Sequence, residues 1–270
     1  MQLICPVCGN NLHRLEASYA CQSRHSFDIA RQGYVNLLPV QQKHSLNPGD
    51  TRAQVLSRRS FLDSGVYAPI ANTLIEQAQE LGLRGPILDV GCGEGYYSAQ
   101  LSKALGAQLV GLDISKEAVR CAAAKYKDAL WLCATASHIP VADGSAQLIT
   151  SLFALTMEEE FHRILAPGGY YFQVLAAQDH LLGLKSIIYP ELKLREKDSV
   201  PQLAGFALCR SVPISFSFTV HGDQVQNLLS MTPHVFRIGK EGARRLAATQ
   251  TLTDTASCIL NIYRRVDTAK

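Results

Sequence analysis

No apolar run in the 270-residue sequence is long enough to cross a membrane. The first residues, Met-Gln-Leu-Ile-Cys-Pro, also lack the basic segment followed by an apolar segment that marks a signal peptide. We therefore expect a cytoplasmic protein with no membrane partner. Because disulfides are rare in that compartment, the eight cysteines are predicted to be thiols or metal ligands.

A strong excess of either charge is also missing, since the formal net charge is +3. The distribution is nevertheless uneven. Residues 1–60 hold seven Lys/Arg and three Asp/Glu, a net of +4, so the rest of the chain sums to −1. A basic segment attached to a near-neutral body favours a polyanionic partner, because Lys and Arg bind phosphates irrespective of sequence. An ordinary solvated surface is the alternative.

The third glycine of a dinucleotide-binding fingerprint is absent as well. The pattern G-x-G-x-x-G would need glycine at position 96, which is Tyr96. The segment 89–95 instead reads Asp-Val-Gly-Cys-Gly-Glu-Gly, and no Gly-Lys-Ser/Thr that would cradle a triphosphate follows it. Glycines allow the backbone to approach a ligand closely because they carry no side chain.

A carboxylate ends the next predicted strand. The apolar run 109–112 leads to Asp113, which lies 22 residues beyond Gly91. In a parallel sheet, a glycine turn after one strand and an acid at the tip of the next hold an adenosine, and the acid bonds the ribose hydroxyls. The D-x-G-x-G-x-G pattern resembles motif I of the class I S-adenosylmethionine (SAM) methyltransferases. A glycine-rich turn without a ligand is the alternative.

The first 25 residues contain two close pairs of metal-ligand side chains, Cys5 with Cys8 and Cys21 with His25. Twelve residues separate the pairs, which is zinc-finger spacing. His13 lies between the pairs without a partner and is left out. Four protein ligands fill a tetrahedral zinc ion, so we predict a structural Zn²⁺ site rather than a catalytic one. Free thiols are the alternative.

Strand and helix patterns alternate through the middle of the chain, which predicts an α/β fold with a parallel sheet covered on both faces. The predicted strands are 87–90, 109–113, 129–134, 146–153 and 170–175. Two later candidates, 212–220 and 256–263, predict antiparallel strands at the sheet edge. The motif I resemblance implies a Rossmann-like, mostly parallel sheet of seven strands. Residues 176–210 are expected to form a helical insertion over the pocket.

Three further segments accompany these motifs: Gly33-Tyr34-Val35-Asn36-Leu37-Leu38, Asn47-Pro48-Gly49-Asp50 and Met231-Thr232-Pro233. Together with Cys-Pro-x-Cys and Leu-Asp-Val-Gly-Cys-Gly-Glu-Gly-Tyr-Tyr, they make nearly the whole chain resemble the bacterial 23S rRNA guanine-N1 methyltransferases of the RlmA type. The resemblance implies methylation of a guanine in a 23S rRNA hairpin. We expect a zinc-binding RNA-recognition module in 1–38, a linker and helix in 39–66, and the SAM-dependent methyltransferase domain in 67–270.

The resemblance also implies ligand contacts, and it adds Tyr67 and His180 to the glycine segment. The predicted SAM contacts are Tyr67, Asp89, Gly91, Cys92, Gly93, Gly95, Tyr96, Asp113 and His180. A packed aromatic at a helix start is the alternative for Tyr67, and a solvated loop histidine is the alternative for His180. The predicted RNA phosphate contacts are Arg14, Arg24, Arg31, Lys43, Arg58 and Arg59.

The acceptor side departs from the family pattern. Where the family places an aromatic-Ala-Pro-Cys sequence, this chain reads Phe-Ala-Leu-Thr at 153–156. We predict that Phe153 is the platform for the target base, with a buried core phenylalanine as the alternative. No general base is assigned, because the acids 158–160 fit a helix dipole better than catalysis. A homodimer is possible. The alternative functions are methylation of a small molecule or protein, and SAM binding without turnover.

Overall fold

The computed structural model describes residues 1–42, 48–192 and 198–267. Within these ranges the strands are β1 (His13–Arg14), β2 (Ser18–Ala20), β3 (Ser26–Asp28), β4 (Tyr34–Asn36), β5 (Ile87–Val90), β6 (Leu109–Asp113), β7 (Leu130–Cys133), β8 (Ala146–Leu152), β9 (Leu165–Ala176), β10 (Phe206–His221) and β11 (Thr251–Arg265). The helices are α1 (Arg52–Asp63), α2 (Ala68–Glu80), α3 (Tyr96–Leu105), α4 (Lys116–Lys125), α5 (Glu158–Ile164), α6 (Leu182–Ile188), α7 (Asp223–Ser230) and α8 (Lys240–Ala248). Short 3-10 turns form at Val40–Gln42 and Pro233–Phe236.

One large sheet dominates the molecule, with strand order β10-β11-β9-β8-β5-β6-β7-β4. The strands from β4 to β9 pair in parallel, whereas β11 runs antiparallel to both β9 and β10. The predicted α/β class and antiparallel edge are therefore confirmed. The glycine loop and Asp113 both lie at the carboxyl ends of the central strands β5 and β6. Ligands of open α/β sheets bind at such strand ends.

The expected count of seven strands is wrong, because the sheet has eight. The additional strand is β4, which the sequence places in the zinc-binding segment and which pairs with β7 through Tyr34 and Trp131. Val35 and Leu37 are fully buried. Burial of this apolar run against the open edge of β7 explains why the chain joins the sheet here.

The two faces of the sheet are covered differently. Helices such as α2, α3 and α4 pack on one face, where Leu74, Leu101 and Val119 share a buried cluster. On the other face, Leu3 and Leu12 of the N-terminal ribbon share a second cluster with α5 and with residues of β5, β6 and β8. The N–H of Ile4 donates to the carbonyl of Pro140 at 3.0 Å. The N-terminal segment thus forms part of the core of the larger fold.

The described residues of the expected insertion at 176–210 contain one helix, α6, and the last residues of the stretch already belong to β10, which begins at Phe206. Residues 193–197 of this stretch lie outside the described ranges. No helix among the described residues combines the length and the apolar character needed to span a membrane.

Candidate functional site

The four predicted zinc ligands converge on one point of the N-terminal ribbon. The ligand atoms of Cys5, Cys8, Cys21 and His25 all lie within 4.8 Å of one another. The Sγ atoms of Cys8 and Cys21 are 3.6 Å apart, and Nδ1 of His25 lies 3.4 Å from Sγ of Cys21 and 3.5 Å from Sγ of Cys5. A tetrahedron with Zn–S bonds of about 2.3 Å has edges of roughly 3.8 Å between sulfurs. The donor set and its spacing therefore fit a zinc ion, and His13 lies outside it.

Tight backbone turns aim these side chains. The N–H of Gly9 donates to the carbonyl of Cys5 at 2.9 Å, and Gly9 adopts φ +73°, which a residue with a side chain rarely accepts. The backbone of Asn10 lowers the pKa of the Cys8 thiol to about 6. A thiolate is the form that binds a metal. With four protein ligands and no open position, the centre is structural.

A cavity of about 1230 Å³ opens at the carboxyl ends of β5, β6, β8 and β9. It is large enough for a nucleoside and part of a second substrate. The predicted SAM contacts that line it are Tyr67, Asp89, Gly91, Cys92, Gly93, Asp113 and His180. The structure therefore brings together seven residues that come from widely separated parts of the sequence.

Asp113 is held in place by the glycine loop. Its Oδ2 accepts a hydrogen bond from the N–H of Gly93 at 2.9 Å, and its Oδ1 accepts one from the N–H of Ser115 at 2.8 Å. Burial raises the pKa of Asp113, and these two backbone bonds oppose that rise. Each oxygen keeps a second lone pair, so the carboxylate can still accept the ribose hydroxyls of a nucleoside.

Asp89 is almost fully buried at the floor of the cavity. The hydroxyl of Thr150, on the adjacent strand β8, donates to its Oδ1 at 2.8 Å. Burial raises the pKa of Asp89 to about 6, although the Thr150 bond favours the ionised form. A cation placed in the cavity would stabilise the carboxylate, and the sulfonium and ammonium groups of SAM are such cations.

The three loop glycines have different neighbours. A Cβ at Gly91 would lie 2.7 Å from Cβ of Ala154, so this glycine makes room for the loop after β8. A Cβ at Gly95 would overlap the ring of Trp131, which belongs to the core. Gly93 faces the cavity beside Arg58, so it is the glycine at which a ligand can approach the backbone most closely.

Two predicted SAM contacts, Gly95 and Tyr96, do not line the cavity. Gly95 packs on Trp131, and Tyr96 turns into the core, where it is 8% exposed. The neighbouring Tyr97 lines the cavity instead, and its ring centroid is 5.1 Å from that of Tyr96. Helix periodicity at the start of α3 does not show which of two adjacent tyrosines faces the ligand.

Tyr67 is both a packed residue and a cavity residue. It precedes α2, and its ring makes an edge contact with Phe61 at 5.1 Å between centroids. Its hydroxyl is buried without a hydrogen-bond partner among the described residues. A buried hydroxyl without a partner costs free energy, so this atom is suited to bind a polar ligand group. Its contact with SAM stays a prediction.

His180 lines the cavity from the segment between β9 and α6. Its Nδ1 lies 3.0 Å from the carbonyl oxygen of Ser257 and 3.1 Å from the N–H of the same residue, and the two contacts require different tautomers. The following residue, Leu181, has φ +55°, and Asp254 accepts hydrogen bonds from the N–H groups of Gly183 and Leu184. This anchoring to β11 fixes the turn that carries His180, in contrast to a freely solvated loop.

Residues 49–58 form one wall of the cavity, and the sequence motifs do not predict this wall. Gly49, Asp50, Gln54 and Arg58 all line the cavity. The turn before α1 is therefore part of the site and not a simple connection. The predicted phosphate contact Arg58 points into this wall, where its Nη2 lies 2.6 Å from Oδ2 of Asp50.

The other predicted phosphate contacts lie elsewhere. Arg14, Arg24 and Arg31 are exposed on the N-terminal ribbon and the turn that follows it. Arg59 is partly buried, with Nε 3.5 Å from Oδ2 of Asp63. Lys43 lies outside the described residues. A phosphate role for these residues stays a prediction.

The loop after β8 forms the rim of the cavity. Phe153 is 44% exposed and lines the cavity, so it is not a buried core residue. Its φ of +55° is rare for a residue with a large side chain, and such strain concentrates at functional sites. Its ring centroid is 6.0 Å from that of His180.

Thr156 anchors this loop at the position where the family pattern has cysteine. Its hydroxyl lies 2.8 Å from the Tyr171 hydroxyl and accepts a 2.8 Å hydrogen bond from the side-chain amide of Gln173. Both partners are buried in β9. The altered sequence therefore keeps a fixed loop conformation through a polar network.

A second rim segment, residues 231–237, contributes all of its residues except Val235 to the lining of the same cavity. Phe236 is 76% exposed there, and Nδ1 of His234 lies 2.8 Å from the Tyr189 hydroxyl. The sequence offered only Met-Thr-Pro as a signal for this second rim.

The acids 158–160 do not line the cavity, and Glu160 pairs with Arg163 at 2.9 Å.

Comparisons with known families and structures agree with this geometry. A family model described as the N-terminal part of RlmA, a zinc ribbon, matches residues 3–46, and a methyltransferase-domain model matches residues 88–173. A candidate type II methyltransferase from Anaeromyxobacter dehalogenans shares the fold, with a TM-score of 0.53 and 16% identity over 73% of this chain and 95% of that chain.

Curated relatives extend the match beyond the separate modules. A 23S rRNA (guanine(748)-N(1))-methyltransferase from Streptomyces fradiae is 37% identical over 67% of this chain and 66% of its own length. A candidate 23S rRNA (guanine-N(1)-)-methyltransferase from Micromonospora griseorubida is 34% identical over 67% of this chain and 68% of its own. The chain thus spans about two thirds of each relative. An identity of 34% over two thirds of a relative shows that the chain belongs to the 23S rRNA (guanine-N1)-methyltransferase family, and the zinc-ligand cluster and the cavity agree with this assignment.

Proposed function

We propose that this protein transfers a methyl group from SAM to N1 of a guanine in a hairpin loop of 23S rRNA. The observation that carries the proposal is the single cavity that combines the glycine loop, Asp89 and Asp113 with an exposed aromatic rim. The names of the curated relatives support the substrate. The zinc ribbon, docked beside the sheet, supports a role in holding RNA.

The protein groups that would hold SAM each have a defined partner. Asp113 is positioned to accept the ribose hydroxyls, and Gly93 leaves its backbone open to the ligand. Asp89 places negative charge near the cations of SAM. The buried Tyr67 hydroxyl would gain the partner that it lacks in the protein. We therefore propose these residues, with Cys92, Tyr97 and His180, as the SAM site.

The sulfonium of SAM supplies an electrophilic methyl carbon, and the chain's contribution is alignment and exclusion of water. A guanine must leave its loop to reach the cavity, and proteins hold such a base against an aromatic face. Phe153 offers that face at the rim. The N1 proton must leave as the N–C bond forms, and we assign no residue to accept it.

The RNA would lie across the ribbon and the cavity mouth. Arg14, Arg24 and Arg31 are exposed on the ribbon side and would contact phosphates. An rRNA substrate would place the enzyme in the bacterial cytoplasm. A homodimer stays a prediction.

Incubation with tritium-labelled SAM and RNA from a strain lacking the enzyme tests the proposal. Label in 23S rRNA, mapped to N1 of one guanine by mass spectrometry, is the expected result. Label in a small molecule or a protein would replace the proposal with the first alternative. SAM binding by calorimetry without any transfer would support the second, a binding protein that has lost turnover.

A further inference from the structure

Arg58 belongs to the basic N-terminal segment, but its side chain is mostly buried in the cavity wall. Its side chain is 26% exposed, and its Nη2 pairs with Oδ2 of Asp50 at 2.6 Å. Its Nη1 lies 3.5 Å from the point where a Cβ of Gly93 would be. The guanidinium therefore lies over the glycine that is most open to the ligand.

The segment that carries Arg58 is fixed to the cofactor wall. Gly49, with φ +82°, leaves only 2.8 Å between its missing Cβ and the Cβ of Ser115. The Ser115 hydroxyl donates to the carbonyl of Asp50 at 2.7 Å, and Thr51 with Gln54 forms a capping box at the start of α1. Because Ser115 also binds Asp113, the turn and the adenosine-binding acid share one anchor. Arg58 is thus held in place before any ligand binds.

The acidic side chains of this wall complement the cationic groups of SAM but not its carboxylate. Asp89, Glu94 and Asp113 are acids at the glycine loop, and they suit the sulfonium and ammonium cations of SAM. The methionine moiety also carries a carboxylate, which needs a cation or N–H donors. Among the described residues, the cations that line the cavity are Arg58, Lys185 and Arg237. Arg58 is the one of these that lies against the glycine loop.

We propose that Arg58 binds the carboxylate of the methionine moiety of SAM, and does not bind an RNA phosphate. This inference rests on the proposed function. A guanidinium presents several N–H donors in one plane, so it can bind Asp50 on one side and a ligand carboxylate on another. The acidic neighbours keep the guanidinium in the wall when no carboxylate is bound.

A truncated ligand tests the assignment. Decarboxylated SAM keeps the adenosine, the sulfonium and the amine, and it lacks only the carboxylate. Calorimetry with the full chain should show that Arg58→Gln weakens SAM binding by roughly 10- to 100-fold, as expected for a lost charge-assisted hydrogen bond. The same substitution should leave the affinity for decarboxylated SAM unchanged. Glutamine keeps an N–H donor for Asp50, which limits disturbance of the turn.

Two further variants complete the experiment. Arg58→Lys keeps the charge and should recover part of the lost SAM affinity. Arg120→Gln removes an arginine that is ion-paired on α4, at 2.6 Å from Glu117, and should affect neither ligand. Equal weakening of both ligands by Arg58→Gln, or no effect on either, would overturn the inference. Failure of the unmodified protein to bind SAM would instead overturn the proposed function.

Discussion

The indole ring of Trp131 packs directly against the backbone of Gly95, in the space that a Cβ would occupy. Trp131 is fully buried, and it also fills the space beside Gly111 on β6. Gly95 adopts φ +83° at the start of α3. The last glycine of the motif therefore packs the glycine loop against the core. A side chain at this position would overlap the Trp131 ring.

Gly95→Ala should accordingly be much more damaging than an alanine at another left-handed glycine. Gly106 has φ +62° and nothing within 4 Å of its Cβ position, so Gly106→Ala should cost only the backbone strain of about 1–2 kcal/mol. Gly95→Ala adds the overlap with Trp131 and should cost roughly 2–5 kcal/mol. Urea denaturation of both variants measures the difference. Equal costs would contradict the packing role.

The SAM affinity should depend on pH through Asp89. Because burial raises its pKa to about 6, the empty protein holds a proton on this group at lower pH. Bound cations favour the ionised form, so affinity should be full above that pKa and should fall as the pH drops through it. Titration calorimetry across the range tests this expectation, and constant affinity would contradict it.

Asp89→Asn is the matching variant for that measurement. It should weaken SAM binding at neutral pH and reduce the pH dependence, since the amide does not ionise. Glu94 and Asp113 also have raised pKa values because they are buried, and they would account for any dependence that persists.

Zinc should support the stability of the whole fold and not of the ribbon alone. Leu3 and Leu12 share a core with the sheet, so a ribbon without metal would expose part of that core. Cys21→Ser should lower stability by roughly 4 kcal/mol or more and should reduce zinc content. Cys209→Ser, at an exposed cysteine on β10, is the control and should change neither quantity. Mass spectrometry and thermal unfolding measure the two effects.

Phe153→Ala should affect methyl transfer without affecting SAM binding. Loss of stacking on a base costs about 1–3 kcal/mol, or roughly a 5- to 150-fold drop in kcat/KM for the RNA. Leu208 is a matched control, since it is 45% exposed on β10 whereas Phe153 is 44% exposed at the rim. Leu208→Ala should leave the kinetics unchanged. A full rate for Phe153→Ala would remove this residue from the acceptor site.

Combined substitution of Arg14, Arg24 and Arg31 by alanine should weaken binding to every RNA sequence. Each phosphate contact contributes about 0.7–0.9 to the slope of log K against log salt, so the slope should flatten by roughly 2 to 3 if all three make contacts. Filter binding over a salt series measures this slope. An unchanged slope would assign the RNA contacts to another surface.

The sequence was sufficient for the parts of the site that depend on short motifs. The spacing of Cys5, Cys8, Cys21 and His25 predicted the cluster of metal-ligand side chains, and the glycine segment with Asp113 predicted one wall of the cavity. Local spacing works there because each ligand set is fixed by one turn or by two adjacent strand ends.

Residues that reach the site through tertiary packing were harder to assign. Arg58 looked like a member of a basic cluster, yet the docking of Gly49 on Ser115 turns it into the cavity. Tyr96 and Tyr97 have the same side chain at adjacent positions, and only the packing of α3 decides between them. The place of β4 in the large sheet was not predicted, because a three-residue strand has little pattern of its own and its partner is the free edge of β7.

The metal ribbon lies on one face of the sheet, and the strand that leaves it is hydrogen-bonded to β7. The ribbon segment is therefore attached to the sheet at two places. An RNA that touches both the ribbon and the cavity mouth would meet them at an invariant separation. The fold would then act as a ruler, selecting a nucleotide by its distance from the bound part of the hairpin as well as by its identity.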